Sequence, residues 1–206
     1  MRGSRSLQDI RSLRLPIQTT GNLNDSNMMN SLLMKLGTLM CVLAVHADVM
    51  PVKDFDMEKM AGEWYVVGYA SNAKWFVDSK EETKLTTNIY KTGHDGHLDL
   101  TYFHHGPNGT CSNSTFHAMK TDTPGRFTYH SDIWNNDNDM RIVEVQYEEY
   151  ALVHTIKTTP DNSTHVLNNL LSRTNETSAV MQEKFSKFSN ETGILPENII
   201  FLPKVM

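Results

Sequence analysis

Cysteine is scarce: the 206-residue chain holds two. That excludes a disulfide-dense miniprotein and a four-cysteine zinc site. Glycine and proline, at 11 and 7 residues, are too few for a collagen-like or low-complexity chain. Basic residues are outnumbered by acidic ones, 19 to 24. Such a surface has no general attraction for phosphate backbones, so nucleic acid is not expected as a partner. The N-terminal apolar run, Leu36 to Val45, is ten residues long (LGTLMCVLAV). A helix crossing a bilayer needs roughly 20, so no membrane span is expected. What remains is ordinary: 39% hydrophobic and 21% charged residues, a length suited to one core.

The apolar run follows Met34-Lys35 and closes on Val45-His46-Ala47, a small-x-small exit. A positive flank, a short apolar core and such an exit form a secretory signal. The competing reading is a buried core helix, which fits poorly with the strand-like sequence that follows. Residues 28–47 are therefore read as signal peptide and 48–206 as the folded domain. Residues 1–27 carry four Arg and no apolar periodicity, and are set aside as an N-terminal extension. Cleavage after Ala47 removes five basic and two acidic residues, leaving 159 residues with a charge of −8 and one thiol, Cys111. Five Asn-x-Ser/Thr sequons stand in that part, at Asn108, Asn113, Asn162, Asn175 and Asn190. Leader and sequons together predict a secreted, glycosylated, extracellular protein.

Nothing divides residues 48–206 into two domains. Short alternating runs recur every 8 to 15 residues, at 62–71, 84–91, 97–104, 114–120, 125–131, 140–149, 150–157 and 165–173. Gly93-His94-Asp95-Gly96, Pro107-Asn108-Gly109, Pro124-Gly125, Asn135 to Asp139 and Pro160-Asp161-Asn162 separate them with turn chemistry. Eight such runs predict an all-β barrel or sandwich. Ser178 to Asn190 breaks the period, placing Met181, Phe185 and Phe188 on one face of a helix of about three turns. Residues 198–202 form a last extended segment.

Three motifs in order carry a resemblance: Gly62-Glu63-Trp64-Tyr65 at the start of the first strand, Tyr147 to Leu152 at a tight turn, and Ser172-Arg173-Thr174 before the helix. With them the chain resembles the lipocalin family over 52–204. The resemblance implies an eight-stranded antiparallel up-and-down β-barrel, one C-terminal helix packed outside and a short final strand. It also implies that Trp64 closes the barrel floor with Arg173 stacked across it. Gly62, Trp64 and Arg173 are structural in that reading. A desolvated cation–π pair contributes on the order of 1–2 kcal/mol.

Within the family, Gly68 to Phe76, Lys184 to Phe188 and Ile199 to Pro203 are similar to the lipocalin-type prostaglandin D synthase group. Its members are isomerases or carriers of retinoids and bile pigments. The isomerases attack an endoperoxide with an inward cysteine on the second strand. That position, eleven residues beyond Trp75, is Thr86, and the assisting serine of strand one is Val66. A hydroxyl without a strong base does not replace a thiolate. No catalytic residue is therefore assigned, and prostaglandin-H2 D-isomerase stands as the alternative to a carrier.

In that group the counterpart of Cys111 belongs to a structural disulfide whose partner lies just past the last strand. This sequence ends there, at Met206. Two readings stay open, a shortened C-terminus or an odd thiol available for pairing between chains. A monomer is expected, with a Cys111-linked dimer as the exception.

Inward positions, counted by parity from Trp64, are Val66, Gly68, Ala70, Thr86, Asn88, Leu98, Leu100, Tyr102, Phe116, Ala118, Phe127, Tyr129, Val143 and Val145. They predict a mostly apolar cavity with a few hydroxyls, suited to a small lipophilic ligand with one polar end. One bulge would invert the count. No metal or cofactor is expected. His94 and His97 fall at a turn, and His104 and His105 point to opposite faces of a strand, so solvated histidines are the expectation.

Overall fold

The computed structural model describes residues 48–105 and 110–202. The leader, Asn108 and residues 203–206 lie outside them. Nine antiparallel strands are present among the described residues: β1 Gly62–Ala70, β2 Thr86–Thr92, β3 Leu98–His105, β4 Cys111–Lys120, β5 Arg126–Ser131, β6 Asn136–Gln146, β7 Tyr150–Thr158, β8 Thr164–Ser172 and β9 Ile199–Phe201. Each pairs with the next from β2 to β8, β8 pairs with β1, and β1 pairs back to β2, closing the barrel. Closure leaves no free sheet edge among these eight.

β1 serves two partners on one edge. Gly62 to Val66 pair with β2, and Gly68 to Ala70 pair with β9. The connection from β1 to β2 is thereby freed to cross the barrel mouth, carrying α2 (Lys74–Val77) and a 3-10 turn (Lys80–Glu82). α1 (Met57–Met60) precedes β1, and the Asp56 carboxylate accepts the Lys59 amide at its start. α3 (Ala179–Glu191) is capped by Ser178, whose hydroxyl accepts the Met181 amide. Among the described residues no helix is long and apolar enough to cross a membrane.

Apolar side chains form two separate clusters. Inside the barrel are Met60, Trp64, Val66, Tyr90, Leu98, Leu100, Phe116, Ala118, Phe127, Met140, Ile142, Val153 and Leu171. Outside it, Met181 and Phe185 of α3 pack on Val67, Ala70, Leu152 and Leu170. The barrel and its docked helix are what the family resemblance implies.

Two bulges correct the inward count. The β1–β8 register shifts between Val66 and Gly68, which exchanges the faces beyond that point. Gly68 and Ala70 accordingly face the helix rather than the interior, and Tyr69 points inward. A Cβ on Gly68 would lie 3.0 Å from Leu170 Cβ and 3.2 Å from a Phe185 ring carbon, so only glycine allows α3 this close. On β6 the register shifts between Ile142 and Glu144. Val143 is the extra residue there, has no opposite number on β7 and joins neither the interior cluster nor the cavity wall. The segment Asn135 to Asp139 is also shorter as a turn than expected. β6 begins at Asn136, with Asn135 alone in the left-handed region at φ 45°.

Candidate functional site

The barrel is filled at one end and hollow at the other. At the filled end Arg173 Cζ lies 3.7 Å from the centre of the Trp64 ring. Its guanidinium donates to the backbone carbonyls of Tyr147, Glu63, Lys59 and Ala61 at 2.8 to 3.1 Å. Trp64 Nε1 in turn donates to the Met60 carbonyl at 2.9 Å. Gly62 has φ 109°, and a Cβ there would meet an Arg173 nitrogen at 3.0 Å. These groups seal the floor by linking α1, β1 and the strand ends.

At the opposite end opens a cavity of about 510 Å³, within the range of sites for drug-sized ligands. Four of the expected inward residues border it: Thr86, Asn88, Tyr102 and Tyr129. Val66, Leu98, Leu100, Phe116, Ala118 and Phe127 also point inward, but they form the packed layer beneath, and Val145 packs against that layer. Most of the cavity wall comes from residues the sequence reading passed over. Trp75, Phe76, Ser79 and Thr83 reach in from the β1–β2 connection. Trp134 comes from the β5–β6 turn and Asn136 from β6, while Thr155, Lys157 and Thr159 belong to β7 and its end. His165, Leu167 and Asn169 complete the ring from β8. Parity carried on from Val153 to Lys157, and back from Leu171 to His165, would have found the last two groups. A lysine at an inward position is the signal.

The cavity's polar groups are partly paired among themselves. Tyr69 Oη and Thr86 Oγ1 share a hydrogen bond of 2.8 Å, and the hydroxyls of Tyr102 and Tyr129 approach to 3.5 Å. Burial lifts all three phenols above their ordinary range, Tyr129 to about 12. They are neutral donors at any physiological pH. Asn88 is 4% exposed, and its Oδ1 has no hydrogen-bond partner among the described residues. Lys157 is 8% exposed, and its Nζ donates to Asn138 Oδ1 at 2.8 Å. Burial alone lowers its ammonium to about 8. Among the described residues no Asp or Glu lines the cavity.

Thr86 and Val66, which correspond by resemblance to the isomerase positions, pair directly across β1 and β2. Val66 lies in the packed layer, and the Thr86 hydroxyl is engaged by the neutral Tyr69 phenol. No base stands beside it among the hydrogen-bonded groups. Cys111 is an exposed free thiol at the start of β4. Of the sequon asparagines, Asn113, Asn162 and Asn190 are exposed and Asn175 is half-buried. His94 is exposed, whereas His97 is half-buried with Nδ1 unpartnered, so it is less solvated than expected. Among the described residues no three His, Cys, Asp or Glu side chains gather as a metal site.

Comparison with known proteins bears on the whole barrel. Residues 61–206 match the model of the lipocalin / cytosolic fatty-acid binding protein family. The chain is 35% identical over 162 residues to a protein of Rhinella marina named lipocalin, covering 79% of this chain and 87% of that one. It is 32% identical over 158 residues to prostaglandin-H2 D-isomerase of Felis catus, covering 77% and 82% respectively. Among solved structures it resembles the siderocalin Ex-FABP, described as functioning through dual ligand specificities. That match has a TM-score of 0.62 and 25% identity over 72% of this chain and 96% of the other.

Proposed function

Because the chain belongs to the lipocalin / cytosolic fatty-acid binding protein family, we propose that it is a secreted carrier holding a small hydrophobic ligand in its barrel without covalent chemistry. The observation that carries this reading is the 510 Å³ cavity above a sealed floor, walled by aromatic rings and neutral hydroxyls. Such a wall removes an apolar ligand from water at about 25 cal/mol per Å² of apolar surface buried. Retinoid-, bile-pigment- and fatty-acid-like molecules are the ligand classes it fits. The leader at 28–47 and the exposed sequon asparagines support secretion and glycosylation. The carrier is read as a monomer with an exposed thiol at Cys111.

The alternative is prostaglandin-H2 D-isomerase activity, favoured by relatives of that name at about 30% identity. Thr86 and Val66 weigh against it, since neither supplies a thiolate or a hydroxyl activated by a base. Two assays on the purified protein decide between them. Titration with retinol, bilirubin and hexadecanoate, followed through the fluorescence of Trp75 and Trp134, is expected to saturate for at least one ligand. Incubation with prostaglandin H2 is expected to give no D2 above the buffer rate. Turnover to D2 would reverse the assignment.

A further inference from the structure

Four paired strands place one row of side chains across the cavity wall. In the β5–β8 register Tyr129 pairs with Asn138, Asn138 with Lys157, and Lys157 with His165. Directly paired residues point to the same face, and in this row that face is the interior. Tyr129, Lys157 and His165 line the cavity, and Asn138 is bonded to Lys157. Lys157 is thus a cation inside the barrel, held by an amide oxygen and lying 5.4 Å from the centre of the Trp134 ring.

Among the described residues no carboxylate faces it. The charged or titratable groups facing the cavity are Lys157 and His165 with the phenols Tyr69, Tyr102 and Tyr129. None of them is a carboxylic acid, although the folded part of the chain carries an excess of acidic residues. Asp137 and Asp139 flank Asn138 on β6 but alternate to the other face, where they meet His130 and Arg126. A buried ammonium without a counter-charge is costly, and proteins retain one where something else neutralises it.

Building on the carrier reading, we propose that the ligand is an amphiphile with an oxyanion headgroup, a carboxylate or a phosphate. The headgroup sits against Lys157 and His165, and the chain runs along Trp75, Phe76 and Tyr102. The anion supplies the counter-charge that the fold omits. It accepts the ammonium protons that Asn138 does not take, in a site dry enough for charge-assisted bonds to be strong. The lowered ammonium of the free protein is consistent with this, because burial lowers it and no charge opposes the shift.

The test pairs an acid with its neutral counterpart. Retinoate and retinol are titrated into the full protein and into Lys157→Met, with tryptophan quenching as the readout. Retinoate is expected to lose about 10- to 100-fold in affinity in the variant, and retinol less than about threefold. In the unmodified protein retinoate affinity should fall as pH rises from 7 to 9.5, by up to about tenfold per pH unit once Lys157 deprotonates. The fall should be absent in Lys157→Met and kept in His165→Asn. Equal losses for retinoate and retinol, or a pH fall that survives in Lys157→Met, overturn the proposal while leaving the carrier reading in place. Failure of both ligands to bind the unmodified protein overturns both. Hexadecanoate and hexadecyl phosphate, run in parallel, tell which oxyanion is preferred by which loses more in the variant.

Discussion

The guanidinium carbon of Arg173 stands 3.7 Å from the centre of the Trp64 ring, and the same guanidinium donates to four backbone carbonyls. One side chain therefore ties α1 and the start of β1 to the β6–β7 turn, which is distant from them in sequence. Lysine has neither the plane to stack nor enough donors in a fork for these carbonyls. Arg173→Lys is expected to lower stability by about 2–4 kcal/mol, read as a lower urea midpoint. Retinol affinity should stay within about twofold below the transition, because the floor is separated from the cavity by the packed layer. A loss of binding without a loss of stability would move Arg173 from the floor to the site.

Gly68 offers a test of the β1 bulge. A methyl group there meets Leu170 and Phe185 at 3.0–3.2 Å, both held in the cluster beneath α3. Gly68→Ala is expected to cost about 1–3 kcal/mol through this overpacking. Ligand affinity measured below the transition should be unchanged. If the unbulged count from Trp64 were correct, the same methyl would enter the barrel, and the effects on stability and affinity would be reversed.

The barrel was legible because its information is local and repeated. Strands announce themselves by alternation, hairpins by turn residues, and the floor by Gly62, Trp64 and Arg173. Parity could be counted only as far as the first bulge. Val66 and Val67 are both valines, so nothing in their chemistry marks where the register slips, and Gly68 and Ala70 were placed on the wrong face. Val143 failed for the same reason on β6. The site was less legible still. Trp75, Phe76, Ser79 and Thr83 come from an irregular connection whose path over the mouth depends on β9 taking the second half of β1. No short-range pattern encodes that exchange. Asn136 and Asn138 looked like turn residues, yet they begin a strand, and Asn138 holds Lys157 from within.

His154 gives the barrel an acid-sensitive point away from the cavity. It is buried under α3, and its ring Nδ1 lies 2.8 Å from Asn168 Oδ1. Burial lowers its imidazolium below the usual 6.5, with the Asn168 bond opposing and Arg141 adding. Between 6.5 and that lowered value the unfolded chain binds a proton that the native chain refuses. Stability is therefore lost as pH falls through this window. His154→Gln is expected to be less stable at pH 7.5, since it disturbs the Asn168 bond. Its further loss on going to pH 5 should be smaller than that of the unmodified protein. Urea midpoints at the two pH values measure both, and parallel losses would refute the assignment.

Lys157 should act with the same sign on the alkaline side. Its ammonium falls from the ordinary 10.5 to about 8 on folding, so below pH 8 the native state carries the whole cost of a buried charge. Between 8 and 10.5 the unfolded chain keeps a proton that the native chain has released, and stability rises with pH. Methionine in its place removes that cost but leaves Asn138 Oδ1 without its donor, a penalty of about 1–3 kcal/mol. The two terms nearly cancel at pH 7, so the comparison there is uninformative and the slope carries the evidence. From pH 7 to 10.5 the stability of the unmodified protein relative to Lys157→Met should increase by on the order of 2–3 kcal/mol, with the tyrosines cancelling in the difference. A flat difference means that the ammonium is not desolvated, and the cavity then has no uncompensated charge for a ligand to meet.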